Sequence, residues 1–213
     1  MSIKDNLQNI LQELGAIQLV AVTKYAAPEQ IQELLDCGYF VLGENKVQAA
    51  ALKAEQYKQY PVQWHLLGHL QTNKAKQAVR IFEVIQSVDS EKVAAAIDKE
   101  AAKVNKCQKI FVQVNIGREP QKSGVAAELL ADLLVYCRNL KNVQLLGLMA
   151  MAPDLPDKEQ TKPYFKEMKE LFDRYAAPYG LEFLSLGMSG DYPAAVQEGA
   201  NMVRIGSKLF TGE

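Results

Sequence analysis

Residues 19–30, LVAVTKYAAPEQ, decide between the two fold classes that the sequence allows. The stretch predicts a buried strand that ends at Thr23 and Lys24, followed by a turn through Pro28 into a helix. An open, doubly wound α/β sheet is expected to have a glycine-rich turn after its first strand. This turn contains no glycine, so we favour a closed α/β barrel and keep the open sheet as the alternative.

The same alternation of short apolar runs and helical segments continues along the chain. The eight runs lie at residues 19–23, 40–42, 63–67, 82–86, 110–115, 145–149, 183–186 and 202–205. Helices are predicted between them at 28–36, 44–57, 72–80, 90–104, 125–139, 159–175 and 192–198. Because the runs are nearly continuous, they indicate parallel strands buried on both faces. Eight strand–helix units are enough to close a (β/α)8 TIM barrel, here with an extra N-terminal helix at 3–14.

The chain is expected to form a single domain over residues 1–213. Its 213 residues, of which 48% are hydrophobic, can bury a full core. No linker, low-complexity tract or change of composition marks a boundary to a second domain.

Composition and charge argue against several classes of protein. With 24 Lys and Arg against 25 Asp and Glu, the net charge of −1 gives no extended basic field for nucleic acid or an anionic membrane. The three cysteines lie far apart without nearby histidines, so we expect neither disulfides nor a metal site. No segment has the apolar length of a membrane span or of a signal peptide. We therefore expect a cytoplasmic protein whose anion sites are local.

The loops after the last two runs have the features of a phosphate site. In (β/α)8 barrels, phosphate is commonly bound by the loops after the seventh and eighth strands. Ser189 and Gly190 precede a predicted helix start, where backbone N–H groups are free. Gly206 allows close approach of the backbone, and Ser207 adds a hydroxyl donor. Either glycine alone would indicate only a turn, but together they predict a phosphate cup.

Two cationic side chains are predicted at the same end of the barrel. Arg204 lies within an apolar strand, so its guanidinium needs either a buried carboxylate or a polar cavity. Lys24 ends the first strand, which neighbours the eighth strand in a closed barrel. A strand-end lysine is usually only solvated, but its amine can form a Schiff base with an aldehyde. A phosphorylated aromatic aldehyde would use the amine, the guanidinium and the phosphate cup together.

Longer motifs give a resemblance to a known family. Six of them occur in order between residues 19 and 210: AVTKY, LGENKVQ, WHLLGHLQTNK, VQVNIGREPQKSGV, LLGLMAMAP and LGMSGDYPAAVQEGANMVRIGSKLF. In these motifs the chain resembles the pyridoxal-phosphate-binding homeostasis proteins, which are single-domain relatives of the barrel of alanine racemase. The resemblance implies a fold like the alanine racemase N-terminal domain, pyridoxal 5′-phosphate as cofactor, and a role in vitamin B6 and amino-acid homeostasis.

The resemblance also implies roles for individual residues. Lys24 would hold the cofactor as a Schiff base, and Asn45 would line the pocket. Arg204 would face the pyridine nitrogen of the cofactor. The phosphate ligands would be Ser189, Gly190, Gly206 and Ser207. The family usually has threonine at position 207, and serine keeps the hydroxyl.

The arginine implies weak catalysis. Because a guanidinium can only donate hydrogen bonds, the ring nitrogen that it faces would be unprotonated and the ring a weak electron sink. Racemisation also needs a base on each side of the substrate, and alanine racemase supplies one from a second domain that we expect this chain to lack. We therefore expect a monomeric cofactor carrier or buffer whose partners include pyridoxal-phosphate-dependent apoenzymes. A slow racemase or lyase with the same cofactor is the alternative, and a regulatory role through a protein partner is a third reading.

Overall fold

Eight parallel strands form a closed barrel in the computed structural model, which describes residues 2–212. Numbered β1 to β8, the strands are Gln18–Val22, Val41–Glu44, Gln63–Leu66, Val84–Val88, Gln108–Val114, Val143–Ala150, Phe183–Ser185 and Met202–Ile205. Each strand pairs with the next along the chain, and β1 closes the ring against β8, where Val20 is paired with Arg204. This closure confirms the predicted (β/α)8 barrel and excludes the open sheet.

Helices surround the barrel. Within residues 2–212, the α-helices α1 to α9 are Ile3–Leu14, Pro28–Asp36, Val47–Gln56, Ala75–Ile81, Glu91–Ala102, Leu130–Arg138, Lys162–Tyr179, Tyr192–Gln197 and Ser207–Phe210. Short 3₁₀ helices precede α4, α6 and α7 at Thr72–Lys74, Ala127–Leu129 and Lys158–Thr161. In this part of the chain, no helix is both long and apolar enough to cross a membrane.

The predicted N-terminal helix is α1, which packs on the flank of the barrel. Ser2 and Asp5 form a capping box, with Ser2 Oγ accepting from the Asp5 N–H at 3.1 Å. Asn6 Nδ2 donates to the carbonyl of Leu209 in α9 at 3.0 Å. The apolar face of the helix is buried and consists of Ile3, Leu7, Ile10 and Leu14. Helix α1 is therefore connected to the helix that follows the last strand.

Buried side chains form two layers. The larger layer lies between the strands and the helices, and a smaller cluster that includes Val20, Phe111 and Met202 fills the barrel. Phe111 stacks on Phe183 within this inner cluster, with 5.8 Å between the ring centres. Side chains alternate along a strand, so residues at two-residue spacing from the inner cluster also point inward. These inward positions include the buried polar residues His65, Gln86, Ser185 and Arg204.

The main difference from the predicted elements lies between residues 40 and 47. The sequence predicts a strand at 40–42 and a helix from 44, whereas β2 continues to Glu44 and α3 begins at Val47. Because Glu44 is acidic, a prediction from apolar runs ends the strand before it and assigns it to the following helix. Glu44 can end the strand because its carboxylate accepts hydrogen bonds from the Thr23 hydroxyl and the Lys53 ammonium group.

Candidate functional site

A cleft of about 660 Å³ opens at the carboxyl ends of the strands. That volume is within the range of pockets that bind small molecules. The cleft is lined by all seven residues predicted as cofactor ligands: Lys24, Asn45, Ser189, Gly190, Arg204, Gly206 and Ser207. The structure therefore brings them to one opening, and their role as ligands stays a prediction.

A larger groove of about 1090 Å³ lies on the outer flank between α1 and α2. None of the seven predicted residues lines it. Size alone does not identify a site, and the cleft combines a buried cation with converging backbone donors. We therefore place the candidate site in the cleft.

Lys24 is an exposed residue two positions after the end of β1. Its Nζ lies 4.6 Å from the centre of the Tyr25 ring, and Tyr25 is itself 88% exposed at the cleft. The preceding residue, Thr23, is buried, and its carbonyl accepts a hydrogen bond from Lys53 Nζ at 2.6 Å. The backbone before Lys24 is therefore fixed, while the Lys24 amine is open to a reagent in the cleft.

A buried ion pair supports this end of β1. Lys53 Nζ lies 2.5 Å from Glu44 Oε1, and the same oxygen accepts a hydrogen bond from Thr23 Oγ1 at 2.6 Å. Glu44 is only 1% exposed, so its charge depends on Lys53 for compensation. This pair was not predicted from the sequence. The available signal was an acidic residue at the end of an apolar run.

Asn45 directly follows β2, and its backbone meets the loop after β3. That loop contains Gly68, which also lines the cleft. A Cβ atom added to Gly68 would lie 2.1 Å from the carbonyl oxygen of Asn45. Only glycine allows this approach, so Gly68 is a supporting residue that the sequence analysis did not identify.

The loops after β7 and β8 meet at Ser189. Its Oγ accepts hydrogen bonds from the backbone N–H groups of Gly206 at 3.1 Å and Lys208 at 3.4 Å. Two N–H groups near the start of α9 therefore converge on one oxygen atom, as they would on an oxygen of a phosphate group. Gly187, with a φ of 83°, makes the turn out of β7, where an added Cβ would lie 2.7 Å from the Cα of Tyr192.

The two glycines of the predicted phosphate cup have different surroundings. A Cβ on Gly206 would lie 3.1 Å from the carbonyl oxygen of Val22, which is tighter than an ordinary contact. A Cβ on Gly190 would meet only Lys158 Cε, at 3.5 Å. Close packing of α9 against β1 therefore favours glycine at position 206, whereas position 190 has room for a methyl group.

Arg204 is 3% exposed and extends its guanidinium into the barrel. Nη1 donates to the carbonyl and the Oγ of Ser185 at 2.8 and 2.6 Å, and Nη2 donates to the carbonyl of Ala150 at 2.8 Å. Of the two partners that the sequence left open, a carboxylate is excluded within residues 2–212, because these partners are all uncharged oxygens.

The charge of Arg204 persists despite its burial. Burial lowers the pKa of the guanidinium to about 10, and the negative charge of Asp191 opposes that shift. The group is therefore protonated at neutral pH. A buried cation without a carboxylate partner, at the wall of a cleft, is typical of a site that binds an acceptor or an anion.

The chemistry of the cleft suits an anionic organic ligand. It offers an amine that can react with an aldehyde. It also offers a guanidinium, hydroxyl groups and backbone N–H groups that can donate hydrogen bonds to an acceptor. In the described part of the chain, no group of three or more His, Cys, Asp or Glu side chains could hold a metal ion. The residues present therefore fit a phosphorylated aromatic aldehyde.

Comparison with known proteins identifies the family. A family model described as "Alanine racemase, N-terminal domain" matches residues 1–213. A protein of Aquifex aeolicus, named "Pyridoxal phosphate homeostasis protein", is 42% identical over 91% of this chain and 86% of its own length. A protein of Pasteurella multocida with the same name is 33% identical over 98% of this chain and 93% of its own. The chain belongs to the pyridoxal phosphate homeostasis protein family.

Solved structures agree with this assignment to the pyridoxal phosphate homeostasis proteins. PipY of Synechococcus elongatus PCC7942, without PLP, is 35% identical with a TM-score of 0.93, over 98% of this chain and all of PipY. PipY with PLP bound is 34% identical with a TM-score of 0.91, over the same shares of both chains. An alanine racemase of Clostridium difficile, of which this chain covers 58%, is 18% identical with a TM-score of 0.82. The expected alanine racemase N-terminal fold is confirmed.

Proposed function

We propose that this protein binds pyridoxal 5′-phosphate as a Schiff base on Lys24 and serves vitamin B6 and amino-acid homeostasis as a carrier or buffer of the cofactor. The observation that carries the proposal is the meeting of Lys24, Arg204 and the loops around Ser189 and Gly206 in one cleft. The PLP-bound structure of PipY and the names of the curated relatives support the same ligand and role.

Lys24 is the best placed of the amines that line the cleft. Lys122 Nζ is paired with Glu119 at 2.5 Å, and Lys158 Nζ is paired with Asp154 at 2.6 Å. Lys24 forms no ion pair within residues 2–212, so its amine is not committed to a carboxylate. Attack of the unprotonated amine on an aldehyde carbon, followed by loss of water, leaves a C=N bond.

The phosphate cup would bind the other end of the ligand. The N–H groups of Gly206 and Lys208 already converge on an oxygen atom. Charge-assisted hydrogen bonds from such groups to a phosphate are short and strong. The proposed phosphate ligands are Ser189, Gly190, Gly206 and Ser207, and Asn45 lines the pocket beside them.

Arg204 argues for little or no catalytic turnover. When bound, pyridoxal phosphate supplies an electron sink, which is strongest when its ring nitrogen is protonated. Arg204 keeps its proton at neutral pH and can only donate a hydrogen bond. A ring nitrogen that faced Arg204 would be an unprotonated acceptor. We therefore propose a binding protein that acts as a cytoplasmic monomer in one domain and delivers cofactor to apoenzymes.

Covalent attachment is tested on the purified protein. Protein loaded with pyridoxal phosphate should show a Schiff-base absorbance band in the visible range, and borohydride should fix the cofactor to Lys24 in the peptide map. Lys24→Ala should lose the band, whereas Lys122→Ala and Lys158→Ala serve as matched amine controls and should keep it. Fixation at another lysine, or an unchanged band in Lys24→Ala, would refute Lys24 as the attachment point.

Turnover separates the carrier from a slow racemase or lyase. The loaded protein is incubated with several L-amino acids, and the products are resolved by chiral chromatography. Turnover in the ordinary enzyme range of about 1 to 1,000 per second would overturn the carrier proposal. Transfer of cofactor to an added apoenzyme, measured by recovery of that enzyme's activity, would support it.

A further inference from the structure

Four buried polar side chains form a continuous chain across the interior of the barrel. Arg204 Nη1 donates to Ser185 Oγ at 2.6 Å, and Ser185 Oγ donates to Gln86 Oε1 at 2.7 Å. Gln86 Nε2 then lies 2.8 Å from His65 Nδ1. Each of the four residues is 3% exposed or less, and they come from β8, β7, β4 and β3.

The hydrogen bonds of this network all donate in one direction, away from Arg204. A guanidinium only donates, so Ser185 Oγ accepts from it, and in the structure the Ser185 hydroxyl donates to Gln86 Oε1. This fixes the orientation of the Gln86 amide and turns its NH₂ group towards His65 Nδ1. His65 Nδ1 must then be an unprotonated acceptor, with the ring proton on Nε2.

These hydrogen bonds leave the guanidinium of Arg204 little freedom. Both Nη1 hydrogens are taken by Ser185, through its carbonyl at 2.8 Å and its Oγ at 2.6 Å, and Nη2 donates to Ala150. A planar group held in two directions has a fixed plane. Within residues 2–212, the other N–H groups of Arg204 have no protein partner. Since Arg204 lines the cleft, they are the donors available to a ligand.

We propose that Ser185, Gln86 and His65 are positioning residues that fix the guanidinium of Arg204 towards a ring acceptor of the bound ligand. The inference rests on the proposed function, which supplies that acceptor as the ring nitrogen of pyridoxal phosphate. Ser185 contacts Arg204 directly, whereas Gln86 and His65 act through it. Their effect is on the hydrogen bond received by the ring, and not on attachment at Lys24.

Substitutions within the chain separate these roles. Ser185→Ala removes the Oγ acceptor and frees one Nη1 hydrogen of Arg204. Gln86→Leu leaves the Ser185 hydroxyl without its acceptor, so that hydroxyl can turn away from Arg204. Gln113→Leu is the matched control, because Gln113 is a buried glutamine on the neighbouring strand β5 that bonds the Ser123 carbonyl at 3.0 Å instead.

The first measurement uses the protein without added cofactor. Two-bond ¹H–¹⁵N spectra of the histidine rings report which nitrogen of His65 carries the proton. The chain requires an unprotonated Nδ1 and a protonated Nε2. A neutral ring with its proton on Nδ1 would overturn the assigned direction, whether or not any cofactor binds.

The second measurement uses pyridoxal phosphate labelled with ¹⁵N in the ring. In Ser185→Ala and Gln86→Leu, the ring ¹⁵N shift should move away from the wild-type value, and cofactor binding should weaken about tenfold. Gln113→Leu should keep the wild-type shift. A wild-type shift in Ser185→Ala, with the cofactor still fixed to Lys24, would overturn the inference, and this variant decides if Gln86→Leu does not fold. Lack of fixation at Lys24 in the wild type would instead refute the proposed function.

Discussion

The hydroxyl oxygen of Ser189 accepts a hydrogen bond from the backbone N–H of Gly206 at 3.1 Å. This bond joins the loop after β7 to the start of α9, after β8, without a charged group in either partner. The N–H group of Gly206 is therefore satisfied within the protein, although it is placed to meet an anion. A chain with a net charge of −1 can keep an anion site in this way without a cluster of lysines.

The packing around Gly206 gives the first prediction. Gly206→Ala places a methyl group 3.1 Å from the Val22 carbonyl oxygen, so the backbone between β8 and α9 must shift slightly away from β1. We expect the affinity for pyridoxal phosphate to fall about tenfold. A tenfold change corresponds to about 1.4 kcal/mol, which is near the lower end of the 1 to 3 kcal/mol that overpacking typically costs. Absorbance titration of the protein with the cofactor measures the dissociation constant.

Gly190→Ala is the control for this prediction. Its added methyl group meets only the flexible Lys158 side chain, at 3.5 Å. The affinity should therefore change much less than in Gly206→Ala, and borohydride should still fix the cofactor to Lys24 in both variants. Equal losses of affinity would contradict the steric account of Gly206.

The buried pair of Glu44 and Lys53 gives a prediction about stability. Lys53→Met removes the ammonium group 2.5 Å from a carboxylate that is 1% exposed, and it leaves that charge without compensation. Loss of one partner of a buried pair costs about 3 to 5 kcal/mol. Lys53 is itself 19% exposed, so we expect a value near the lower end in urea unfolding.

A surface pair provides the comparison for Lys53. Lys58 is also 2.5 Å from a carboxylate, that of Glu55, but both side chains are at least 70% exposed. Surface pairs contribute little to stability, so Lys58→Met should unfold at the same urea concentration as the wild type. If the two variants unfolded alike, burial of Glu44 would not be the reason for the importance of Lys53.

The sequence was sufficient for the barrel and for the residues in its loops. Eight nearly continuous apolar runs predicted the number of strands, and closure of the barrel through the β1–β8 pair brings Lys24 and Arg204 to one cleft. Arg204 lies within β8, and the other six predicted residues lie beyond the end of a strand or just before a helix, where topology alone brings residues to one end of the barrel.

Residues that act through contacts across the barrel could not be predicted in this way. Gln86 and Ser185 are 99 residues apart and share a hydrogen bond only because both point inward at the same level. Their residue types also occur at exposed positions, so the sequence alone gives no reason to pair them. Glu44 was missed for a related reason, since its partner Lys53 lies on the following helix and becomes visible only when α3 packs on β2.

His65 predicts how stability depends on pH. Burial lowers its pKa from 6.5 to about 4, with the nearby Glu83 raising it and Lys109 lowering it. Between pH 6.5 and 4 the unfolded chain binds a proton at His65 that the folded chain does not. The contribution of neutral His65 to the free energy of unfolding is therefore complete above pH 6.5 and is lost as the pH falls towards 4. The loss amounts to about 3 kcal/mol.

Urea unfolding between pH 7 and 4 should show a shallower decline of stability in His65→Asn, whose amide oxygen can still accept from Gln86. His69→Asn, at the exposed ring that meets Asp89, is the histidine control outside the barrel interior. Parallel curves for all three proteins would show that His65 is not the group that titrates.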